Sequence, residues 1–245
     1  NGAHFFNYHS NILSNDQGID KWIQYAPLLD KRAYPDIEVA VLYPDTMTKL
    51  EDSTIRYLDG SAWFSQAIAL RSYLDYDYCS ERMVLDGALN NYKVMVFLSR
   101  YQDGEVIEQQ PLEAIDGWVR AGGTIIYCSV HGMGIRTIEG DYTVFNRWLA
   151  GDTGKGHVII LEVDREPVSL GADAIQQALL QLDNLGDNTR KMLAMDKSDH
   201  VYASILETGD FALLNFSFKP ETVVIEGMEP IVMDPVSIEL VKPVL

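Results

Sequence analysis

Short apolar runs rich in β-branched residues constrain the fold of this chain more than any other feature. The clearest runs are residues 37–43 (IEVAVLY), 93–99 (KVMVFLS) and 124–128 (TIIYC). Each run is almost continuously apolar, which is typical of a strand buried on both faces of a parallel sheet. Amphipathic helices are predicted between the runs, at 61–74 and from Pro111, since proline is well suited to the first turn of a helix. Residues 77–80 can add a short strand, and the resulting order predicts a doubly wound α/β three-layer sandwich with right-handed crossovers.

The pattern of strand-like and helix-like segments changes from about Lys155. Strand-like runs at 157–163 and 201–206 flank a helical segment at 172–185. Shorter β-rich runs follow at 211–216, 222–226 and 237–241. This pattern predicts a second unit that ends in a small, β-rich, antiparallel domain with hairpin-like connections. The GDTGKG at 151–156 is predicted to be a turn, because a phosphate-binding loop needs Ser or Thr after its lysine and a helix after that.

The first 35 residues form a separate segment. Residues 2–8 (GAHFFNY) are strand-like and residues 19–29 (IDKWIQYAPLL) have helical periodicity, which together predict one β/α unit. Such a unit is either an extra layer on the sandwich or the last strand and helix of a (β/α)8 barrel. Because the chain begins at Asn1 and not at Met, we expect a fragment or a processed chain. A mature N-terminus after signal removal and a missing start methionine are the alternatives.

The charge balance narrows the classes of partner. The sequence has 36 acidic and 19 basic residues, which gives a net charge of −17 at pH 7. Such a charge disfavours contact with a phosphate backbone, so nucleic acid is not an expected partner, whereas a neutral ligand such as a sugar is compatible. No apolar run approaches the roughly 18–20 residues of a membrane span, so we expect a soluble protein, either cytoplasmic or exported.

Metal and cofactor chemistry has no signature in the sequence. The five histidines form no HxxxH or HExxH pattern, and the two cysteines, Cys79 and Cys128, form no CxxC pattern. We therefore expect no metal and no cofactor, and we expect both thiols to be buried and reduced. The four tryptophans fall in helix-like segments, which favours core packing over a sugar-stacking platform.

Four stretches of sequence carry a resemblance to a known family. They are IEVAVLYPDT at 37–46, ERMVLDGALNNYKVMVFLS at 81–99, IDGWVRAGGTIIY at 115–127 and FALLNFSFKPETVVIEG at 211–227. Together they resemble the C-terminal region of glycoside hydrolases related to family 42 β-galactosidases. In that family a barrel is followed by a flavodoxin-like domain of the class I glutamine amidotransferase type and then by a small β-sandwich. The resemblance implies domains at 1–35 (barrel end), 36–153 (amidotransferase-like) and 154–245 (mixed segment and β-rich domain).

The resemblance also implies a function. The parent would be a sugar-processing enzyme whose catalytic carboxylates lie upstream of Asn1. This chain would be a non-catalytic accessory region that forms a homo-oligomer and shapes the rim of the active site, and it would meet carbohydrate through the missing barrel. Asn7, Tyr8 and His9 follow the predicted last barrel strand, which makes them the candidate substrate-binding residues.

The acidic residues agree with a non-catalytic chain. Glycoside hydrolysis needs two carboxylates about 5–10 Å apart across one cleft. Two pairs that are close in sequence, Asp75 with Asp77 and Glu105 with Glu108, are predicted to lie on solvated faces of the protein.

Two other functions remain open. One is a stand-alone ligand-binding module with its cleft at the carboxyl ends of the strands, near Asp45, Arg100 and residues 129–131. The other is a Cys-dependent hydrolase that uses Cys128 and His131. The second requires a nucleophile elbow, in which small residues flank the thiol, and here Tyr127 and Val130 are bulky and no glycine is directly next to the thiol.

Overall fold

The computed structural model describes residues 34–50, 62–98, 104–130, 134–163 and 169–242, together with residues 20, 23–25 and 132. Its first seven strands are β1 (Val39–Tyr43), β2 (Asp77–Ser80), β3 (Val94–Phe97), β4 (Glu105–Ile107), β5 (Thr124–Val130), β6 (Ile135–Thr137) and β7 (His157–Val163). Five of them form a parallel sheet in the order β2-β1-β3-β5-β7, while β4 and β6 form a separate parallel pair. The four strands predicted for this sheet from the first half of the sequence are confirmed.

Helices cover both faces of the parallel sheet. They are α1 (Asp45–Leu50), α2 (Ala62–Arg71), α3 (Glu81–Leu85), α4 (Gln109–Ala121), α5 (Thr143–Leu149), α6 (Ser169–Leu180) and α7 (Asp187–Leu193). Along β1, Val41 packs with α2 and α6 on one face, whereas Leu42 packs with α3, α4 and α5 on the other. Both side chains are at most 2% exposed, which explains why the apolar run does not alternate.

Strand β7 extends the parallel sheet, although the change of pattern near Lys155 had placed it in the second unit. It pairs with β5 along its whole length, from Thr124 opposite His157 to Val130 opposite Val163. Before it, the backbone N–H of Lys155 donates to the Arg120 carbonyl at 3.1 Å, so residues 151–156 form the predicted turn against the end of α4. The sequence pattern changes here because β7 lies at the edge of the sheet that the described strands form, and most of its residues are only half-buried. The domain limits stay a prediction.

The C-terminal part is antiparallel, as predicted. Its strands are β8 (Val201–Ile205), β9 (Phe211–Asn215), β10 (Glu221–Val223), β11 (Ile231–Met233) and β12 (Ser237–Val241). They form one sheet in the order β12-β9-β8 and a β10-β11 pair. Val201 and Leu213 belong to the same apolar cluster as Val41, so the antiparallel sheet packs on the helix layer that covers the parallel sheet.

The single helical segment predicted at 172–185 was wrong in its limits. The structure has α6, which ends at Leu180, and α7, which begins at Asp187. The guanidinium of Arg190 donates to the carbonyl groups of Leu180, Leu182 and Leu185. These bonds satisfy the carbonyls that the break in the helix leaves exposed.

The tryptophans pack as predicted where the structure describes them. Trp63 and Trp148 are 2% and 4% exposed, and Trp118 packs against the apolar cluster on the Leu42 face. Trp22 lies outside the described residues. In the described part of the chain, no helix is both long enough and apolar enough to cross a membrane.

Candidate functional site

The carboxyl edge of the parallel sheet is the place where a doubly wound fold binds ligands. Strand β1 is followed by Pro44 and Asp45, and β2 is followed directly by Glu81. Asp45 belongs to the cleft that the sequence predicted, and its Oδ2 accepts a hydrogen bond from the backbone N–H of Arg82 at 3.3 Å. Arg100 and His131, predicted at the same edge, lie outside the described residues.

Glu81 occupies this edge with its own carboxylate. Its Oε1 accepts from the backbone N–H of Thr46 at 2.8 Å, and its Oε2 accepts from the Thr46 hydroxyl at 2.6 Å. Oε2 also lies 3.3 Å from the backbone N–H of Glu108, which precedes α4. Thr46 and Glu81 are 1% and 3% exposed. Backbone N–H groups at the starts of helices bind anionic ligands in many proteins, and here a carboxylate of the chain itself occupies them.

The electrostatics of Glu81 suit a fixed structural group. Burial raises the pKa of the Glu81 carboxyl group above its usual range, the bonds from Thr46 and Glu108 oppose this rise, and the nearby Asp45 adds to it. A general acid must reach its substrate, and Glu81 is almost completely enclosed. Glu81 was not among the predicted site residues, although a charged side chain directly after a predicted strand was a signal for it.

Three of the four acidic residues predicted to lie on solvated faces are buried or half-buried. Glu105 is 2% exposed, because β4 pairs with β6 and turns this side chain inward. Asp75 accepts from the Ser204 hydroxyl at 2.6 Å and forms an ion pair with Arg71. Asp77 is half-buried, and its carboxylate accepts from the Tyr92 hydroxyl at 3.0 Å. The prediction was therefore wrong for these three residues. It holds for Glu108, whose side chain is 49% exposed.

Cys128 lies inside β5, which continues to Val130. It is 0% exposed, and it packs in the cluster beneath α2 and α6. A nucleophile elbow places its thiol at an exposed turn after the strand, so this position does not favour the Cys-dependent hydrolase. Cys79 is also 0% exposed, and burial, with the nearby Asp77 and Asp45, raises the pKa of its thiol to about 11. The expected burial of both cysteines is confirmed.

The other predicted site residues are not described by the structure. Asn7, Tyr8 and His9 lie outside the described residues, and their role at the end of a barrel strand stays a prediction. Among the described residues, no group of three or more His, Cys, Asp or Glu side chains is arranged to hold a metal ion.

The fold and the site define a mixed α/β protein with a five-stranded parallel sheet, a separate antiparallel β region and a buried Glu81 carboxylate at the carboxyl ends of β1 and β2. Solved structures of GH42 β-galactosidases are similar to it. A catalytic mutant of Gan42B from G. stearothermophilus has a TM-score of 0.62 at 13% identity, over 95% of this chain and 44% of that chain. The β-galactosidase from Bacillus circulans sp. alkalophilus has a TM-score of 0.62 at 11% identity, over 93% and 44%. The enzyme from Rahnella sp. R3 has a TM-score of 0.65 at 12% identity, over 93% and 44%.

These identities show a shared fold and no more. The chain spans less than half the length of each of these β-galactosidases. No protein-family model matches the sequence, and no curated protein matches it in sequence.

Proposed function

We propose that this chain is a non-catalytic accessory region of a glycoside hydrolase related to the family 42 β-galactosidases, corresponding to the C-terminal region of such an enzyme. The observation that carries the proposal is the coverage of the structural match. It takes in 93–95% of this chain but only 44% of each β-galactosidase. In this proposal the remaining part of the enzyme supplies the barrel and its two catalytic carboxylates.

The architecture supports a flavodoxin-like, amidotransferase-like assignment for the parallel sheet. Numbered within the sheet, its strands follow the order 2-1-3-4-5, which is the order of the flavodoxin-like folds. We propose residues 1–35 as the end of the barrel, 36–153 as the amidotransferase-like domain and 154–245 as the mixed segment with the small β domain. Within the last of these, β7 and α6 pack with the parallel sheet.

The carboxyl edge supports the non-catalytic part of the proposal. An amidotransferase or a ligand-binding module needs this edge open to solvent, and here Glu81 and Thr46 close it at the ends of β1 and β2. The thiol of Cys128 is enclosed in the core. Both features fit a domain that has kept the fold and serves assembly.

The open edge of the sheet supports a role in homo-oligomerisation. Among the described strands, β7 pairs with β5 alone. Residues 158–161 (VIIL) are apolar and half-buried along this edge. An unpaired apolar edge strand favours pairing with another chain, so we propose that β7 lies at a contact between subunits.

Two measurements test the proposal. Hydrolysis of aryl glycosides is compared between this chain and its reading frame extended upstream, and we expect activity only in the extended protein. Activity in the 245-residue chain, or a reading frame that starts near Asn1, contradicts the accessory role. Light scattering of the chain should give the mass of two or more chains of 27.6 kDa each. The mass of a single chain contradicts the role in assembly.

A further inference from the structure

A cleft lies at the amino end of the edge strand β2, at the opposite end of this strand from Glu81. Its volume is about 660 Å³, within the range of roughly 300–1,000 Å³ that is usual for small-molecule sites. We call it the tyrosine cleft and define it by Tyr34, Arg71, Asp75, Asp77, Tyr78 and Tyr92. These residues come from three separate stretches of sequence, so no local sequence motif predicts the cleft.

Two aromatic rings of the cleft are open to solvent. Tyr34 is 48% exposed and Tyr78 is 41% exposed. The Tyr78 ring is held in place, because its centroid lies 5.5 Å from that of Trp63 and 5.4 Å from that of Tyr76. Because these contacts already restrict the ring, a ligand that packs on it would meet a preorganised surface.

The polar groups of the cleft are also fixed. The Asp77 carboxylate accepts from the Tyr92 hydroxyl at 3.0 Å. Asp75 accepts from the Ser204 hydroxyl and is paired with Arg71, whose guanidinium lies 3.8 Å above the Tyr76 ring. Carboxylates have more than one acceptor site and guanidinium has five donors, so these groups keep capacity for a ligand. The cleft therefore offers acceptors and donors beside exposed aromatic rings.

The chemistry of the cleft selects a neutral polyhydroxylated ligand. Its carboxylates and the net charge of −17 disfavour an anion, and an apolar ligand would desolvate the remaining acceptor sites of these carboxylates without replacing the water. A sugar has hydroxyl groups that donate to carboxylates and accept from Arg71, and it has apolar C–H faces that pack on tyrosine rings. We propose that the tyrosine cleft is a carbohydrate-binding site. The choice of a sugar from the β-galactoside class rests on the proposed function above.

Binding of lactose and β-1,4-galactobiose to the 245-residue chain tests this proposal. Saturation-transfer NMR and calorimetry should detect saturable binding of at least one of the two disaccharides. Tyr78→Ala and Asp77→Asn should each weaken it by about 10-fold or more, equivalent to about 1.4 kcal/mol. Tyr142→Ala is the matched control, because this tyrosine is 38% exposed but lies at the start of α5, outside the cleft. It should leave the affinity unchanged.

Several outcomes would overturn the carbohydrate site. The wild-type chain could bind neither disaccharide, or the cleft variants and Tyr142→Ala could lose affinity equally. A third such outcome is that the chain binds spermidine and neither of the two sugars. Circular dichroism checks the fold of each variant, and Tyr34→Ala, at an exposed ring, replaces Tyr78→Ala if the latter unfolds. The glycosidase assay does not depend on this cleft. If only the extended protein is active and the 245-residue chain binds no sugar, the carbohydrate site is refuted and the accessory role still stands.

Discussion

Thr46 donates two of the three hydrogen bonds that hold the buried carboxylate of Glu81. Thr46→Val removes the hydroxyl and keeps the backbone N–H. We expect the variant to lose about 1–3 kcal/mol of unfolding free energy at pH 7, because a charged acceptor in the interior loses its shortest bond. Urea unfolding followed by tryptophan fluorescence measures this loss.

The cost of Thr46→Val should depend on pH. The pKa of Glu81 is raised in the folded state, which means that folding disfavours the charged form of this carboxyl group. The folded protein reaches this charged form as the pH rises through the raised pKa. The Thr46 hydroxyl supports this charged form, so its removal should cost more at pH 7 than at pH 4. Thr48→Val is the control, because the Thr48 hydroxyl donates to the uncharged Pro44 carbonyl at 2.8 Å. Equal pH dependence in both variants would refute the charge-based account.

Glu38 is a carboxylate with the opposite shift. Burial raises its pKa, but bonds from Lys93, Thr189 and the Gly186 N–H outweigh burial, so the pKa is lowered. We expect Glu38→Gln to cost about 1–3 kcal/mol at pH 7, since its side chain is 14% exposed and well bonded. The stabilisation is present above the unfolded pKa and is lost as the pH falls through the folded pKa, so the cost should shrink below about pH 4. Unfolding at pH 3 and pH 7 measures it; a constant cost would contradict this assignment.

These residue contacts could not be predicted from the sequence. Glu81 lies 35 residues from Thr46 and 27 from Glu108. Hydrophobic periodicity reports which side of an element is buried, and it carries no information on which side chains meet across strands. The same limit explains why Glu105 and Asp75 were assigned to solvated faces.

At the scale of elements, the turn that precedes β7 packs against the C-terminal end of α4, and this packing depends on a close backbone approach at Gly156. A Cβ atom at this position would lie 2.1 Å from the Val119 carbonyl oxygen and 2.2 Å from that of Gly123. We expect Gly156→Ala to destabilise the fold by about 2–4 kcal/mol, because the atoms that must move are backbone. Thermal and urea unfolding measure the effect. Gly117→Ala is the control, since nothing lies within 4 Å and a helical alanine should stabilise by about 0.5–1 kcal/mol. A neutral Gly156→Ala would contradict the tight approach.

Among the described elements, the sequence predicted most strands and the helices α2, α4 and α6, but it did not predict the shorter helices α1, α3, α5 and α7. Strands β1, β3 and β5 were visible because burial on both faces produces a continuous apolar run. Strands β4, β6 and β11 have only three residues each and show no periodicity, so they were missed. Strand β7 was recognised as a strand, but a pattern of apolar residues does not say which sheet a strand joins.

At the scale of the whole molecule, the parallel sheet and the antiparallel sheet are joined by one apolar cluster and by a half-buried cation. The Lys197 ammonium donates to the Ser72 carbonyl, just beyond α2, and to the Val201 carbonyl at the start of β8 at 2.7 Å. A cation near the C-terminal end of a helix is favourable for the helix dipole. Lys197 therefore ties the second sheet to the helix layer of the first.

The ammonium also gives the joined fold a pH dependence. Burial lowers the pKa of Lys197 to about 8, and Asp199 opposes this effect. Between about pH 8 and pH 10 the unfolded chain binds the proton more than the folded chain does, so the stability contributed by Lys197 should rise with pH. Relative to Lys197→Met, the wild type should gain about 1–2 kcal/mol between pH 7.5 and pH 9.5. Urea unfolding across this range measures the gain, and Lys219→Met, at an exposed turn, should show none. An equal slope for wild type and Lys197→Met would mean that the ammonium stays solvated and that the apolar cluster alone joins the two sheets.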